Sequence, residues 1–385
     1  MKQSIQLFIG FLFLCNFSCW AQEAPKNFEV GGYIKFLQIS SFASEDSLIT
    51  SQLIHNRVNF DWYLLPSVKL NWEMRNRIFY GENVRNTPNF GRTIDTYDGI
   101  LDMSIRWVDN EAALIHTQVD RAYLQWSNDK WDIRVGRQRI NWGVALTWNP
   151  NDVFNAFNFL DFDYEERPGS DAIRIQYFPG IMSHVEISYA PGETWRESVL
   201  AGKYGFNYKN YDLQVLLGYF QEDVFTGIGW EGYLGGAGFK GESTIFIPTK
   251  EGNDSEVSLS TSLSFDYQWA NNMYTNFGVL YNQNPFASFQ FQNGLVGGEL
   301  SPKNLFPSQW SFLTQASGQV HPLVTISGAV LYATELNITA FLPSISYSIT
   351  EDWDLDLTVQ SFFLSFPRTY QHSGTSAFLR IKWSY

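Results

Sequence analysis

The chain has 385 residues, 39 acidic against 26 basic, a net charge of −13, and aromatic residues as numerous as charged ones at 17% each. That acidity excludes a nucleic-acid-binding surface, and so many rings beside so few charges are unusual for a soluble protein. No linker or low-complexity stretch divides the chain, and nowhere after residue 21 does an apolar run approach the ~20 residues a helical span needs.

Lys2 opens the chain, an apolar run covers Ile5 to Phe17, and Ala21 precedes the polar Gln22-Glu23. This is the pattern of a secretory signal peptide over residues 1–21, leaving 22–385 as the exported protein. Both cysteines, Cys15 and Cys19, fall inside it. Lipidation at Cys19 is the rival reading, but Asn16-Phe17-Ser18 fits that pattern poorly. Cleavage at Ala21 leaves no cysteine, so the exported chain must be held by something other than disulfides. The first strand is expected at about Glu29, which leaves no length for a large N-terminal plug.

Strand alternation is clearest from Ile54 to Leu64. Ile54, Val58, Phe60, Trp62 and Leu64 take one face, while His55, Arg57, Asn59 and Asp61 take the other. After Pro66-Ser67, Val68, Leu70, Trp72 and Met74 alternate with Lys69, Asn71, Glu73 and Arg75. A period of two with aromatics on one face and full charges on the other suits lipid outside and water inside. Short turns are expected at Leu65-Pro66, Asn128-Asp129-Lys130, Pro179-Gly180, Lys209-Asn210, Asn271-Asn272, His321-Pro322 and Glu351-Asp352. Between them lie longer polar connections at 81–115, 141–170, 191–200 and 285–307. This predicts short periplasmic turns and long extracellular loops. In the glycine-rich stretch Phe225 to Ile247, two strands joined near Gly235-Gly236 are expected. The total is then about 18 strands, with 16 as the other count, in an even-numbered all-β antiparallel transmembrane barrel. At the end of the chain, Leu379, Ile381, Trp383 and Tyr385 alternate with Arg380, Lys382 and Ser384. A final amphipathic strand ending in an aromatic resembles the signal read by the outer-membrane assembly machinery.

The segment 116–178 departs from regular alternation. A hairpin of Val119–Trp126 and Trp131–Gln138 leads into Arg139-Ile140-Asn141-Trp142-Gly143. Trp148-Asn149-Pro150-Asn151-Asp152 and the acidic stretch Asp161 to Glu166 come next, and a new strand begins near Ile173. The Gly136-Arg137-Gln138 element, with Trp142-Gly143 and the downstream Asn149-Pro150-x-Asp152, resembles the DUF1302 type of porin-like outer-membrane protein. More distantly it is similar to alginate-export barrels. The resemblance implies diffusion or export through a barrel and assigns no catalytic residue.

Parity places Arg57, Arg75, Arg121, Arg134 and Arg174 toward the lumen near mid-strand, as a basic wall. The loop 141–170 carries Asp152, Asp161, Asp163, Glu165 and Glu166 and is expected to fold inward, opposing these arginines across a narrowed water path. The alternative is that lumenal charges simply pair and brace the barrel. Trp142, Trp148, Phe154, Phe157, Phe159 and Tyr164 are candidates for stacking on sugar rings; otherwise they glue the loop to the wall or join the interfacial girdle. The five histidines, His55, His116, His184, His321 and His372, show no metal-ligand spacing. His184, Glu186 and Ser188 share a strand face, but alternate residues stand ~6.6 Å apart, too far for a nucleophile–base pair. No cofactor is implied.

The reading is thus a non-enzymatic, porin-like channel in the outer membrane of a Gram-negative cell, passing small hydrophilic solutes or ions passively. Its other partners are membrane lipid and the assembly machinery. Trimers are common among porins, though no interface signal is visible. An oligosaccharide- or polysaccharide-transporting barrel, and a barrel enzyme or adhesin without a conducting pore, are the alternatives.

Overall fold

The alternation around Pro66 becomes a hairpin of two long strands, β2 (Ser47–Leu65) and β3 (Val68–Gly81), with β1 (Phe28–Ser44) on the other side of β2. The structure, a computed structural model, describes residues 27–44, 47–95, 99–156, 160, 167, 169–249, 256–285, 290–292, 295–297, 300–335, 337–366 and 369–385. The residues of the expected signal peptide lie outside these.

From β3 the chain passes through two single-turn helices, α1 (Glu82–Asn86) and α2 (Phe90–Ile94), and a short strand β4 (Ser104–Asp109). It then re-enters the wall as β5 (Ala113–Ser127) and β6 (Trp131–Gln138). The wall continues through β7 (Ser170–Gly180), β8 (Ser183–Ala190), β9 (Val199–Tyr208), β10 (Tyr211–Phe220), β11 (Asp223–Leu234), β12 (Ala237–Pro248), β13 (Ser258–Gln268) and β14 (Tyr274–Asn282). A small separate hairpin, β15 (Gln290–Gln292) with β16 (Leu295–Gly297), sits in the next connection. The last strands are β17 (Trp310–His321), β18 (Val324–Ala333), β19 (Ile338–Thr350), β20 (Trp353–Phe366) and β21 (Thr369–Ser384). Sequential neighbours pair antiparallel, and β21 pairs back onto β1 with Ile34 opposite Trp383, closing an 18-strand barrel. β4 adds only a short pairing to the upper part of β5, above the end of β6. Closure pairs each of the 18 wall strands on both sides, as lipid requires, while β4 is paired on one side only.

The doubtful stretch resolves as expected. Gly235 and Gly236 both have positive φ (60° and 89°) and form the tight turn between β11 and β12. The turn placed at Pro179-Gly180 lies slightly later, at Ile181-Met182, and both residues remain in β7. Pro179 has no N–H to give the ladder, and the register slips there, between Tyr177 and Gly180. The rim opposite the short turns carries the long connections 82–112, 139–169 and 283–309, yet it also has tight ones, such as Gln221-Glu222. Elaboration is concentrated at a few hairpins rather than spread round the rim.

Outward positions are apolar: Leu217 is 63% exposed, and Leu200, Ile187 and Ile228 are similar. Trp62, Trp72, Trp126, Trp131, Trp353 and Trp383 all sit outward near the short-turn rim, where an interfacial girdle belongs. Among the described residues no helix is long and apolar enough to cross a membrane; the strands make the crossing.

Candidate solute path through the barrel

The five arginines singled out by parity lie on consecutive wall strands, β2, β3, β5, β6 and β7. Arg57 sits directly opposite Arg75, and Arg134 opposite Arg174. Carboxylates on these strands and on the adjoining β8 separate the like charges. Arg57 donates to Asp120 at 2.6 Å, to Asn59 at 2.9 Å and to Glu73. Arg75 pairs with Asp120 at 3.0 Å, and Arg121 with Glu73 at 3.1 Å. Arg134 binds Asp132 at 2.9 Å, and Arg174 grips Glu186 with two bonds of 2.8 and 2.9 Å.

Asp120 reaches this cluster because β5 bulges. Glu73 pairs with Arg121 and the next residue, Met74, with Val119, so Asp120 is the extra residue. Both Asp120 and Arg121 therefore point inward, and the inward parity switches from Gln118 to Tyr123 across them. Parity counted back from Trp126 assigns Arg121 correctly and would send Asp120 to the lipid, whereas parity counted from Gln118 does the reverse.

Arg137 shows the opposite case. Its Gly136 neighbour has φ 120°, and a Cβ there would lie 2.3 Å from the Ala122 carbonyl, so only glycine fits the Gly-Arg-Gln element. Arg137 is buried on Asp171, the Val119 carbonyl and the Leu101 carbonyl. It fastens the loop before β4 to the wall.

The loop 139–169 turns toward the inward faces of the later strands. Ile140, Trp142, Val153 and Phe154 pack against Ala172, Val199, Ala201, Leu216, Phe220, Phe225 and Phe246. Trp148 and Leu160 join a second cluster with Leu280, Leu313, Leu331, Ile338, Phe362 and the neighbouring loop's Leu305 and Phe306. Polar bonds fix the crossing. The Trp142 indole donates to Glu186 at 2.6 Å, Gln214 donates to the Trp142 carbonyl at 2.7 Å, and Gln360 to the Leu160 carbonyl at 3.2 Å. Lys203 lies 5.4 Å over the Trp142 ring, and Phe154 meets its edge at 5.1 Å. Both indoles named as sugar platforms are thus packed, Trp142 at 1% and Trp148 at 2% exposure.

Asp152 does not face the arginine wall. It accepts from the Trp142 N–H at 3.3 Å and pairs with Arg167 of its own loop at 3.1 Å. Burial pushes its carboxyl up to about 7, against the pull of Arg167 and that N–H. Asp161, Asp163, Tyr164, Glu165 and Glu166, with Phe157 and Phe159, lie outside the described residues.

Residues missed from the sequence are the carboxylates that balance the wall, Glu73, Asp120 and Glu186, together with Lys203 and Glu242. Inward parity was available for Glu73 and Glu186; the bulge hid Asp120, and the glycines around Glu242 blurred the parity of its strand. His184 makes no hydrogen bond to Glu186 or Ser188, although the Ser188 hydroxyl does reach Glu186 at 3.3 Å. Glu186 is already engaged by Arg174, Gln176 and Trp142. Open space remains on both sides of the loop. One cavity of about 400 Å³ lies between Trp142, Lys203, His184 and Met182. Another of about 310 Å³ lies between Thr147, Gln315, Thr358 and Gln360.

The family model described as "Protein of unknown function (DUF1302)" matches residues 108–384, far beyond the local element that suggested it. No curated protein matches the chain. Among solved structures, Acinetobacter baumannii OccAB3 superposes with a TM-score of 0.58 at 10% identity, covering 93% of this chain and 99% of that one. Pseudomonas aeruginosa OccK5 (OpdH) gives 0.60 at 7% identity, with 94% and 99% covered. Pseudomonas aeruginosa OpdK with vanillate gives 0.59 at 7%, again covering 94% and 99%. At such identities the likeness is one of fold. With most of its length matched and its barrel closed, the chain belongs to the DUF1302 family and has the fold of a porin-like outer-membrane β-barrel.

Proposed function

We propose that this barrel is a passive channel for small hydrophilic solutes or ions across the outer membrane, with loop 139–169 as its constriction. The observation that carries the reading is the seating of that loop on inward-facing side chains from β7 to β20. A loop so placed narrows a lumen without filling it. Arg121, Arg134 and Arg174 would line the remaining passage, with Arg57 and Arg75 buried in the ion-pair network beside them, and the interleaved carboxylates would leave it mildly basic. The loop carboxylates Asp161, Asp163, Glu165 and Glu166 would face that wall; Asp152 is already committed to Arg167. A barrel of the same fold has been solved with vanillate, a small organic anion, which supports a small polar solute here. The packing of Trp142 and Trp148 favours loop cement over sugar stacking.

Residues 1–21 would be removed on export, and β21 is the strand through which assembly machinery would take the chain. A trimer is a further expectation, read by native mass of the detergent-solubilised protein.

Planar-bilayer recording on the wild type and on Arg121→Gln and Arg134→Gln tests the path. The wild type should conduct, and each variant should lower anion preference. Conduction with selectivity unchanged in both variants removes the arginine wall from the path. No conduction, and no liposome swelling with small sugars, defeats the channel in favour of a filled barrel acting as enzyme or adhesin.

A further inference from the structure

We infer that Glu242 is the latch that holds the constriction in place, a positioning residue whose release would let the loop swing and the passage widen. This rests on the channel reading. Glu242 points inward from β12 and is fully buried, and no Lys or Arg pairs with it among the described residues. Loop donors surround its carboxylate instead. One oxygen accepts from the Val144 N–H at 2.5 Å, the Ala145 N–H at 2.6 Å and the Asn149 amide at 3.0 Å; the other accepts from the Asn151 N–H at 2.9 Å. A buried carboxylate is costly unless every lone pair is used, and converging backbone N–H groups form an anion-binding concavity. The dependence is mutual, because without Glu242 those three N–H groups become buried donors with no acceptor.

The wall is shaped to receive the same turn. Asn151 donates to the Ile228 carbonyl at 3.0 Å and accepts from Thr244 at 2.6 Å. It lies against two inward positions of β11 that carry no side chain. A Cβ on Gly227 would meet the Asn151 side-chain oxygen at 2.8 Å, and one on Gly229 would meet its nitrogen at 2.8 Å and Gln214 at 2.7 Å. The Asn-Pro-x-Asp element is therefore a plug for this socket: Asn149 and Asn151 bind the carboxylate, and Pro150 withholds an N–H that would need its own acceptor.

Two variants perturb the latch in independent ways. Glu242→Gln keeps the shape but turns an amide NH₂ toward an N–H donor in either orientation. Gly229→Ala keeps the charge and intrudes into the socket, and its extended backbone accepts alanine readily. Folding is checked by the heat-shifted gel mobility of the barrel. The expected result in both is amide exchange in the loop at least tenfold faster with strand protection unchanged, together with larger and noisier single-channel currents. Loop exchange within twofold of the wild type in both folded variants overturns the latch. Should the wild type prove silent in bilayers while both variants still loosen the loop, the latch stands as an anchor and the channel reading alone fails.

Discussion

Asp120→Asn isolates the electrostatics of the wall from its packing. Among the described residues, three arginines, Arg57, Arg75 and Arg121, share two carboxylates, Glu73 and Asp120, so this group of five carries +1 and the substitution takes it to +2. Neither neighbouring arginine is stranded, since Arg57 keeps Glu73 and Asn59, and Arg75 keeps Gln118 at 2.9 Å. The folding cost should therefore be about 1–3 kcal/mol, below the ~3–5 kcal/mol of an orphaned buried charge. An ion passing about 6 Å away loses or gains about 0.7 kcal/mol at the dielectric of bulk water, and about 2.8 kcal/mol at an effective value near 20. Even the weaker figure is about threefold in local concentration, and anions and cations move in opposite directions. Anion-to-cation permeability should rise about tenfold at low salt and less at 1 M, where the Debye length is about 3 Å. Reversal potentials under a salt gradient read this directly. A ratio within twofold of wild type, in a variant of normal gel mobility, would show that the field of the cluster does not reach the solute path.

Three further outcomes are expected. Leu217→Lys places a charge on an outward position that is 63% exposed, and urea unfolding in lipid should show a loss of about 2–4 kcal/mol if that face touches hydrocarbon; a loss under 0.5 kcal/mol would place water there. Asp152, with its folded pKa raised to about 7, stabilises the seated loop below the ordinary carboxylate range and loses that contribution as pH rises through about 7. Single-channel noise should therefore fall from pH 8 to pH 5 and become flat in Asp152→Asn; noise that rises on acidification refutes the assignment. The intact mass of the purified protein should correspond to a chain beginning at Gln22, and a lipid-modified Cys19 would replace that reading.

The fold was legible where the two faces of a strand meet different media. In β2 and β3 the outward residues meet lipid and the inward ones meet water or ion pairs, so Trp62 and Trp72 alternate cleanly with Asp61, Asn71 and Glu73. Turn chemistry guided the strand count, since reading a reversal at Gly235-Gly236, which the structure bears out, brings the total to 18. The site was less legible. A one-residue bulge inverts parity within β5, so no periodic template assigns both Asp120 and Arg121. The partners of the wall arginines required register, which pairs Glu73 with Arg121 and sets Arg134 against Arg174.

The rule of a polar lumen gives way where the loop docks. Along β10, Val215, Leu216 and Leu217 run without alternation, yet Leu217 faces outward while Leu216 is fully buried under Trp142 and Val153. Leu280, Leu331, Ile338 and Phe362 repeat this on the other side beneath Trp148 and Leu160. These inward faces are apolar because the loop, not water, is their solvent. An apolar interface this broad also explains how a loop with such polar ends can stay inside a barrel, and it concentrates specificity in the few polar contacts that set its register. Glu242 and Glu186 are the buried wall carboxylates among them, so substituting either should change where the loop rests before it changes whether the barrel forms.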